Sequence, residues 1–133
     1  MIYLPDTNVC ISLLRQKHPS LIARWRSVMV TNITLCSIVV YELRYGAESS
    51  SDPAREHGKL DVFLAPFSSL TFDNGCARTC AEIRRALERT GERIGPHDLQ
   101  VAAIALQHNL TLVTHNTREF GRISSLRVED WEL

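Results

Sequence analysis

Met1-Ile2-Tyr3-Leu4-Pro5-Asp6-Thr7-Asn8 opens the chain and decides how the rest is read. Ile2, Tyr3 and Leu4 have the β-branched, aromatic and aliphatic character of a strand buried on both faces, as in a parallel sheet. Pro5 has no N–H to donate and is expected to end the ladder. Asp6 then falls just past the strand's carboxyl end, the edge of an open α/β sheet where strand ends and helix starts leave a crevice for ligands. Asp and Asn are also favoured helix N-caps, so Asp6 or Asn8 alone does not choose between a cap and a site. The choice turns on whether other acids reach the same edge.

Downstream, apolar and turn signals alternate. Val9, Ile11, Leu13 and Leu14 suit a short helix over 8–15, broken at His18-Pro19-Ser20. A second helix is expected from Pro19 or Ser20, with Leu21, Ile22, Trp25 and Val28 on one face and Trp25 in the core. Thr34-Leu35-Cys36 is a short strand, after which Ser37 is placed to cap a helix running toward Gly46. Ser49-Ser50-Ser51-Asp52-Pro53 is a polar break before a helix over 53–63. A third strand is expected over 67–72. A long helix over 76–90 should turn Ala77, Ala81, Ile83 and Leu87 inward and stop at Gly91. The helix opening at Pro96-His97-Asp98 is apolar nearly all round and should be buried. Thr111-Leu112-Val113-Thr114 is a strand, and Leu126-Arg127-Val128 a last one. Repeated βα units of this kind predict an α/β fold: a three-layer α/β/α sandwich around a mostly parallel sheet of four to five strands, with right-handed crossovers.

Length and composition agree with one domain over 1–133, large enough for a core without disulfides or a structural metal. Apolar residues make up 44% and charged residues 23%, ordinary for a globular protein. Fifteen basic residues balance fifteen acidic ones, so net charge gives no sign of non-specific polyanion binding. Cys10, Cys36, Cys76 and Cys80 form no C-x-x-C pair and sit in apolar stretches, which fits free thiols in a reducing cytoplasm. No run is long enough for a membrane span, and no basic leader precedes the first strand, so neither anchor nor signal peptide is expected.

Three further acids are candidates to join Asp6. Asp98 lies in the first turn of the buried helix, where the helix dipole favours a carboxylate by about 0.3–1 kcal/mol, so capping alone also accounts for it. Glu42 is crowded by Val39, Val40, Tyr41, Leu43 and Tyr45, and a buried carboxylate needs compensation. Glu119, in Thr114-His115-Asn116-Thr117-Arg118-Glu119-Phe120, follows the strand at 111–114 into the same edge, although pairing with Arg118 or Arg122 is the alternative. Converging carboxylates repel by about 4 kcal/mol per pair at about 4 Å in a medium of effective dielectric near 20. A divalent cation makes such a cluster tolerable. Oxygen ligation without Cys or His at metal spacing points to Mg²⁺, with Mn²⁺ as a substitute.

Asp6-Thr7-Asn8, Tyr41-Glu42-Leu43-Arg44-Tyr45-Gly46-Ala47, Ile94-Gly95-Pro96-His97-Asp98-Leu99 and Leu112 to Phe120 resemble, in this order and spacing, the motifs of the PIN-domain family. More narrowly they resemble the VapC toxins of bacterial type II toxin–antitoxin pairs, and the likeness extends to Val128-Glu129-Asp130-Trp131. By that resemblance Asp6, Glu42 and Asp98 match the family's three acids and Glu119 its more variable fourth, while Thr7, Ser37, Thr114 and Asn116 match supporting polar positions. The resemblance implies a Mg²⁺-dependent endoribonuclease in which Asp6 and Asp98 hold the ion and Glu42 and Glu119 act through water. It also implies a structured RNA substrate, tRNA favoured, a cognate VapB-type antitoxin whose C-terminal segment fills the crevice, and a homodimer or hetero-oligomer. Two positions depart from the pattern. His97 stands where relatives more often have Asn or Tyr, and Asn116 where many have Asp, leaving the fourth ligand open between Asn116 and Glu119.

Rival classes fit less well. A phospho-receiver needs a lysine at the end of a late strand, and the chain has only Lys17 and Lys59. A haloacid-type phosphatase needs a second Asp two residues after the first, where Asn8 stands. A PIN module that has lost catalysis and only binds partners remains the alternative, against which the retention of all four acids speaks. His18, His57, His108 and His115 show no obvious partners. Arg15, Lys17, Arg24, Arg26, Arg78, Arg85 and Arg89 suit either phosphate contacts or solvated helix faces.

Overall fold

The computed structural model of residues 1–133 has five strands and seven helices. In chain order they are β1 (Tyr3–Pro5), α1 (Thr7–Leu14), α2 (Pro19–Ser27), a 3₁₀ turn at Val30–Asn32, β2 (Leu35–Cys36), α3 (Ser37–Glu48), α4 (Pro53–Leu64), β3 (Ser69–Leu70), α5 (Asn74–Arg89), α6 (Pro96–Gln107), β4 (Thr111–Val113), α7 (Thr117–Phe120) and β5 (Arg127–Glu129). Every pairing is parallel: β1 with β4, β4 with β5, and β2 with β3. A bridge between Tyr3 and Ile33, and the Thr34 N–H donated to the Tyr3 carbonyl at 2.9 Å, join the two parts in the order β3-β2-β1-β4-β5. The chain therefore steps outward from β1 through β2 to β3, then returns to the other side of β1. That reversal makes the gap between β1 and β4 the topological switch point, the place where an open α/β sheet binds its ligand.

Two cores flank the sheet. Leu4 and Leu112, paired in register, point into a core of twenty buried residues that includes Val39 and Leu43 of α3 and Val101, Ala102, Ile104 and Ala105 of α6. Val113, one residue on, points the other way and packs with Val9, Leu21 and Trp131. This alternation gives the expected three layers. With six buried residues, α6 is the most deeply buried helix.

Helix ends are set by local chemistry. Gly91 adopts a left-handed φ of 71°, and the Glu92 and Gly91 N–H groups donate back to the carbonyls of Leu87 and Glu88, closing α5 as expected. Asn109, at φ 56°, does the same for α6, with Leu110 donating to Ala105 at 2.8 Å. This turn releases the chain straight into β4.

Several expectations need correction. β1 ends at Pro5 as expected, but one ladder bond continues past it: the Asp6 N–H donates to Val113 at 3.0 Å, and since alternate residues face the same side, the missing N–H of Pro5 falls on the side away from β4. Ile2 is exposed, so the strand is buried on both faces only at its carboxyl half. The third strand shrinks to two residues, and the last begins one residue later than expected. On α5 the inward stripe is Cys76, Cys80, Ile83 and Leu87, while Ala77 and Ala81 are exposed. Sulfur-bearing side chains bury more apolar surface than a methyl, and they keep the i, i+4, i+7 spacing. Ser37 begins α3 without a side-chain cap bond, the cap position being Cys36.

Candidate active site

Asp6 caps α1 and at the same time reaches the end of β4. One carboxylate oxygen accepts from the Val9 N–H at 2.9 Å, capping α1, and the other accepts from the Thr114 hydroxyl at the end of β4. The residue is 6% exposed. Burial pushes its carboxyl up from the ordinary range; the Thr114 and Val9 bonds oppose this, and the charges of Glu132 and Glu42 add to it. Thr114 also accepts from the Asn116 N–H at 3.0 Å, and the Asn116 amide donates to Glu119 at 3.1 Å. A single relay thus runs from Asp6 through Thr114 and Asn116 to Glu119, all across the switch point. Glu119 pairs with neither Arg118 nor Arg122, because Arg122 turns to Glu92 at 3.5 Å.

On the other wall, the Thr7 hydroxyl donates to Glu42 at 2.6 Å. The second Glu42 oxygen is 3.5 Å from His97 Nδ1, and the His97 ring stands edge-on to Tyr41 with centroids 5.4 Å apart. Glu42 is only half-buried, its side chain 27% exposed, because Tyr41 and Tyr45 point to solvent and Val39, Leu43 and Ala47 form the buried face of α3. Asp98, in the first turn of α6, has its carboxyl pushed up to about 6, chiefly by burial, then by the charges of Asp6, Glu42 and Glu119, with His97 opposing. Three acids from three other elements therefore act on Asp98 at once. Ser37 is the predicted site residue that makes no such contact.

No Lys or Arg forms an ion pair with any of the four acids, and His97 is the one basic group within 4.0 Å of any of them. An acid cluster with hydroxyl and amide supports and no Lys or Arg partner fits a hard divalent cation, the carboxylate donors being all oxygen. The acids are also set wider than a closed cage: groups of three ligand atoms within 4.8 Å of one another occur elsewhere, at Asp73, Cys76 and His108 and at His115, Asp130 and Glu132. Such spacing suits an ion that keeps several of its waters.

The sequence reading missed the tail. Glu132 bears on Asp6, and His115 and His18, expected to lack partners, both meet tail carboxylates. The one signal was Trp131, a large anchor flanked on both sides by acids.

With this geometry in place, comparison with known proteins is decisive. The PIN domain model matches residues 3–126. The chain belongs to the PIN-domain family. Within that family it is of the VapC type. It is 38% identical to Ribonuclease VapC2 of Rickettsia felis over 99% of both chains, and 36% identical to the tRNA(fMet)-specific endonuclease VapC of Shigella flexneri over 97% of both. Among solved PIN-domain structures it resembles DNA-bound VapBC from Salmonella typhimurium, with a TM-score of 0.91 at 34% identity and 98% coverage of each chain. The VapBC-1 structure from nontypeable Haemophilus influenzae aligns with a TM-score of 0.89 at 30% identity over the whole of both chains.

Proposed function

We propose that the chain, read as a single PIN domain over 1–133, is the ribonuclease toxin of a type II toxin–antitoxin pair and hydrolyses RNA phosphodiester bonds with Mg²⁺ or Mn²⁺. The observation that carries this reading is the convergence of Asp6, Glu42, Asp98 and Glu119 at the switch point with no Lys or Arg to balance them. Asp6 and Asp98 would hold the ion. An ion held there would supply Lewis-acid polarisation of the scissile phosphate and a lowered pKa for a bound water. Thr114 and the Val9 N–H fix the Asp6 carboxylate; Thr7 fixes Glu42, and Asn116 fixes Glu119. Glu42 and Glu119 thereby stand ready to orient the attacking water and accept its proton. Asn116 serves the relay, which leaves Glu119 as the fourth acid.

The substrate class is a structured RNA, tRNA by analogy with the Shigella relative, cut in the cytoplasm so that translation stops. No helix is long and apolar enough to cross a membrane, which accords with that location. The partner is a VapB-type antitoxin, as in the complexes formed by the relatives, with the toxin in a homodimer or hetero-oligomer. A cavity of about 430 Å³ beside Glu42, lined by Ile11, Leu14, Leu43 and Leu60 together with Arg15 and Lys59, suits the antitoxin segment. A larger cavity of about 630 Å³ between the end of α5 and the start of α6 is lined by none of the four acids.

The test is cleavage of bulk tRNA by the purified chain freed of antitoxin. Cleavage with Mg²⁺ or Mn²⁺, arrested by EDTA and absent from folded Asp6→Ala and Asp98→Ala, is the expected result. Undiminished cutting by either variant, or by the chain in EDTA, would refute the reading.

A further inference from the structure

A second convergence of donors lies outside the crevice. His115, on the turn between β4 and α7, places Nδ1 2.9 Å from Asp130 and 3.0 Å from Glu132. The ligand atoms of all three lie within 4.8 Å of one another. His18 adds Nε2 at 3.7 Å from the other Glu132 oxygen. The two carboxylates are withdrawn from solvent, 8% and 11% exposed, because buried Trp131 between them packs edge-on against Tyr3 at 5.0 Å and draws the tail onto the sheet.

Their compensation is incomplete. Neither acid has a Lys or Arg partner, and Nδ1 of one imidazole offers a single N–H to two carboxylates. Asp130 also accepts from the Glu132 N–H at 2.9 Å, but the Glu132 carboxylate accepts no hydrogen bond. Leaving the Glu132 carboxylate in that state is costly. Imidazole with carboxylate is a borderline donor set, suited to Zn²⁺ and its first-row neighbours rather than to Mg²⁺.

We propose that His115, Asp130 and Glu132 form a site for one Zn²⁺-like transition-metal ion, separate from the crevice. The ion would tie the C-terminal tail to the turn that leads into Asn116. It also offsets the Glu132 charge that bears on Asp6. This assignment does not rest on the nuclease reading, and its test keeps the two apart.

The full chain, stripped with a chelator, is titrated with Zn²⁺ by calorimetry in excess Mg²⁺. One Zn²⁺ per chain is expected, with affinity lowered by at least about tenfold in His115→Ala and in Glu132→Gln and unchanged in Asp98→Asn. Equal affinity in the tail variants, loss of binding in Asp98→Asn, or no binding by the parent chain would overturn the proposal. Should a tail variant lose its fold, the imidazole resonances of His115 in the parent chain decide instead: saturable shifts on adding Zn²⁺ support the site, and unmoved resonances refute it.

Discussion

The outer face of α5 and the crevice at the switch point treat acids in opposite ways. On α5, Glu82 meets Arg78 and Glu88 meets Arg84 and Arg85, each pair exposed and one turn apart. In the crevice, four acids from β1, α3, α6 and α7 approach one another and no arginine answers them, although the chain has as many basic residues as acidic ones. The supports there are hydroxyls, amides and backbone N–H groups, which aim a carboxylate without neutralising it. Apart from His97 beside Glu42, nothing basic relieves that repulsion, so the contrast marks where a cation fits.

Breaking the crevice should have the largest consequence. Asp6→Ala and Asp98→Ala are expected to lower RNA cleavage on the order of a hundredfold or more, measured as single-turnover rates on folded protein. Thr114→Val, close in shape, removes the donor to a buried carboxylate and should lower stability by about 2 kcal/mol in denaturant unfolding. Asp98→Asn should act in the opposite direction. Its folded carboxyl titrates at about 6 against an ordinary 3.8, so between these values the folded chain binds more protons, and stability falls as pH rises through the window. For a half-exposed group, screening reduces the gain at pH 7 to about 1 kcal/mol, or about 3 °C in Tm for the metal-free chain, vanishing near pH 4. Glu42→Gln should raise the metal-free Tm in the same sense. Arg78→Ala, on the exposed face, should leave Tm and cleavage unchanged, and a shift comparable to that of Asp98→Asn would erase the contrast.

How much of this could be read beforehand follows from what carries each feature. The switch-point position of Asp6 was legible because an apolar strand ending in an acid is a local pattern, and Asp98 because Pro96 and a buried helix fix its place. Glu42 meets Thr7 and His97 but is half exposed rather than buried, since neighbours in sequence do not share a helix face and Tyr41 and Tyr45 point outward. The same phase error put Ala77 and Ala81 inward in place of Cys76 and Cys80. The tail cluster was out of reach because His18, His115, Asp130 and Glu132 meet only through tertiary packing. The relay through Thr114 and Asn116 depends on hydroxyl and amide directions that residue type does not fix.

The most direct test is the melting temperature of the chelator-treated chain during a Mg²⁺ titration. The parent chain should rise saturably as the ion offsets its acids, whereas Asp98→Asn should start higher and respond little. A parent chain indifferent to Mg²⁺, or parent and variant rising in parallel, would contradict a cation seat among Asp6, Glu42, Asp98 and Glu119.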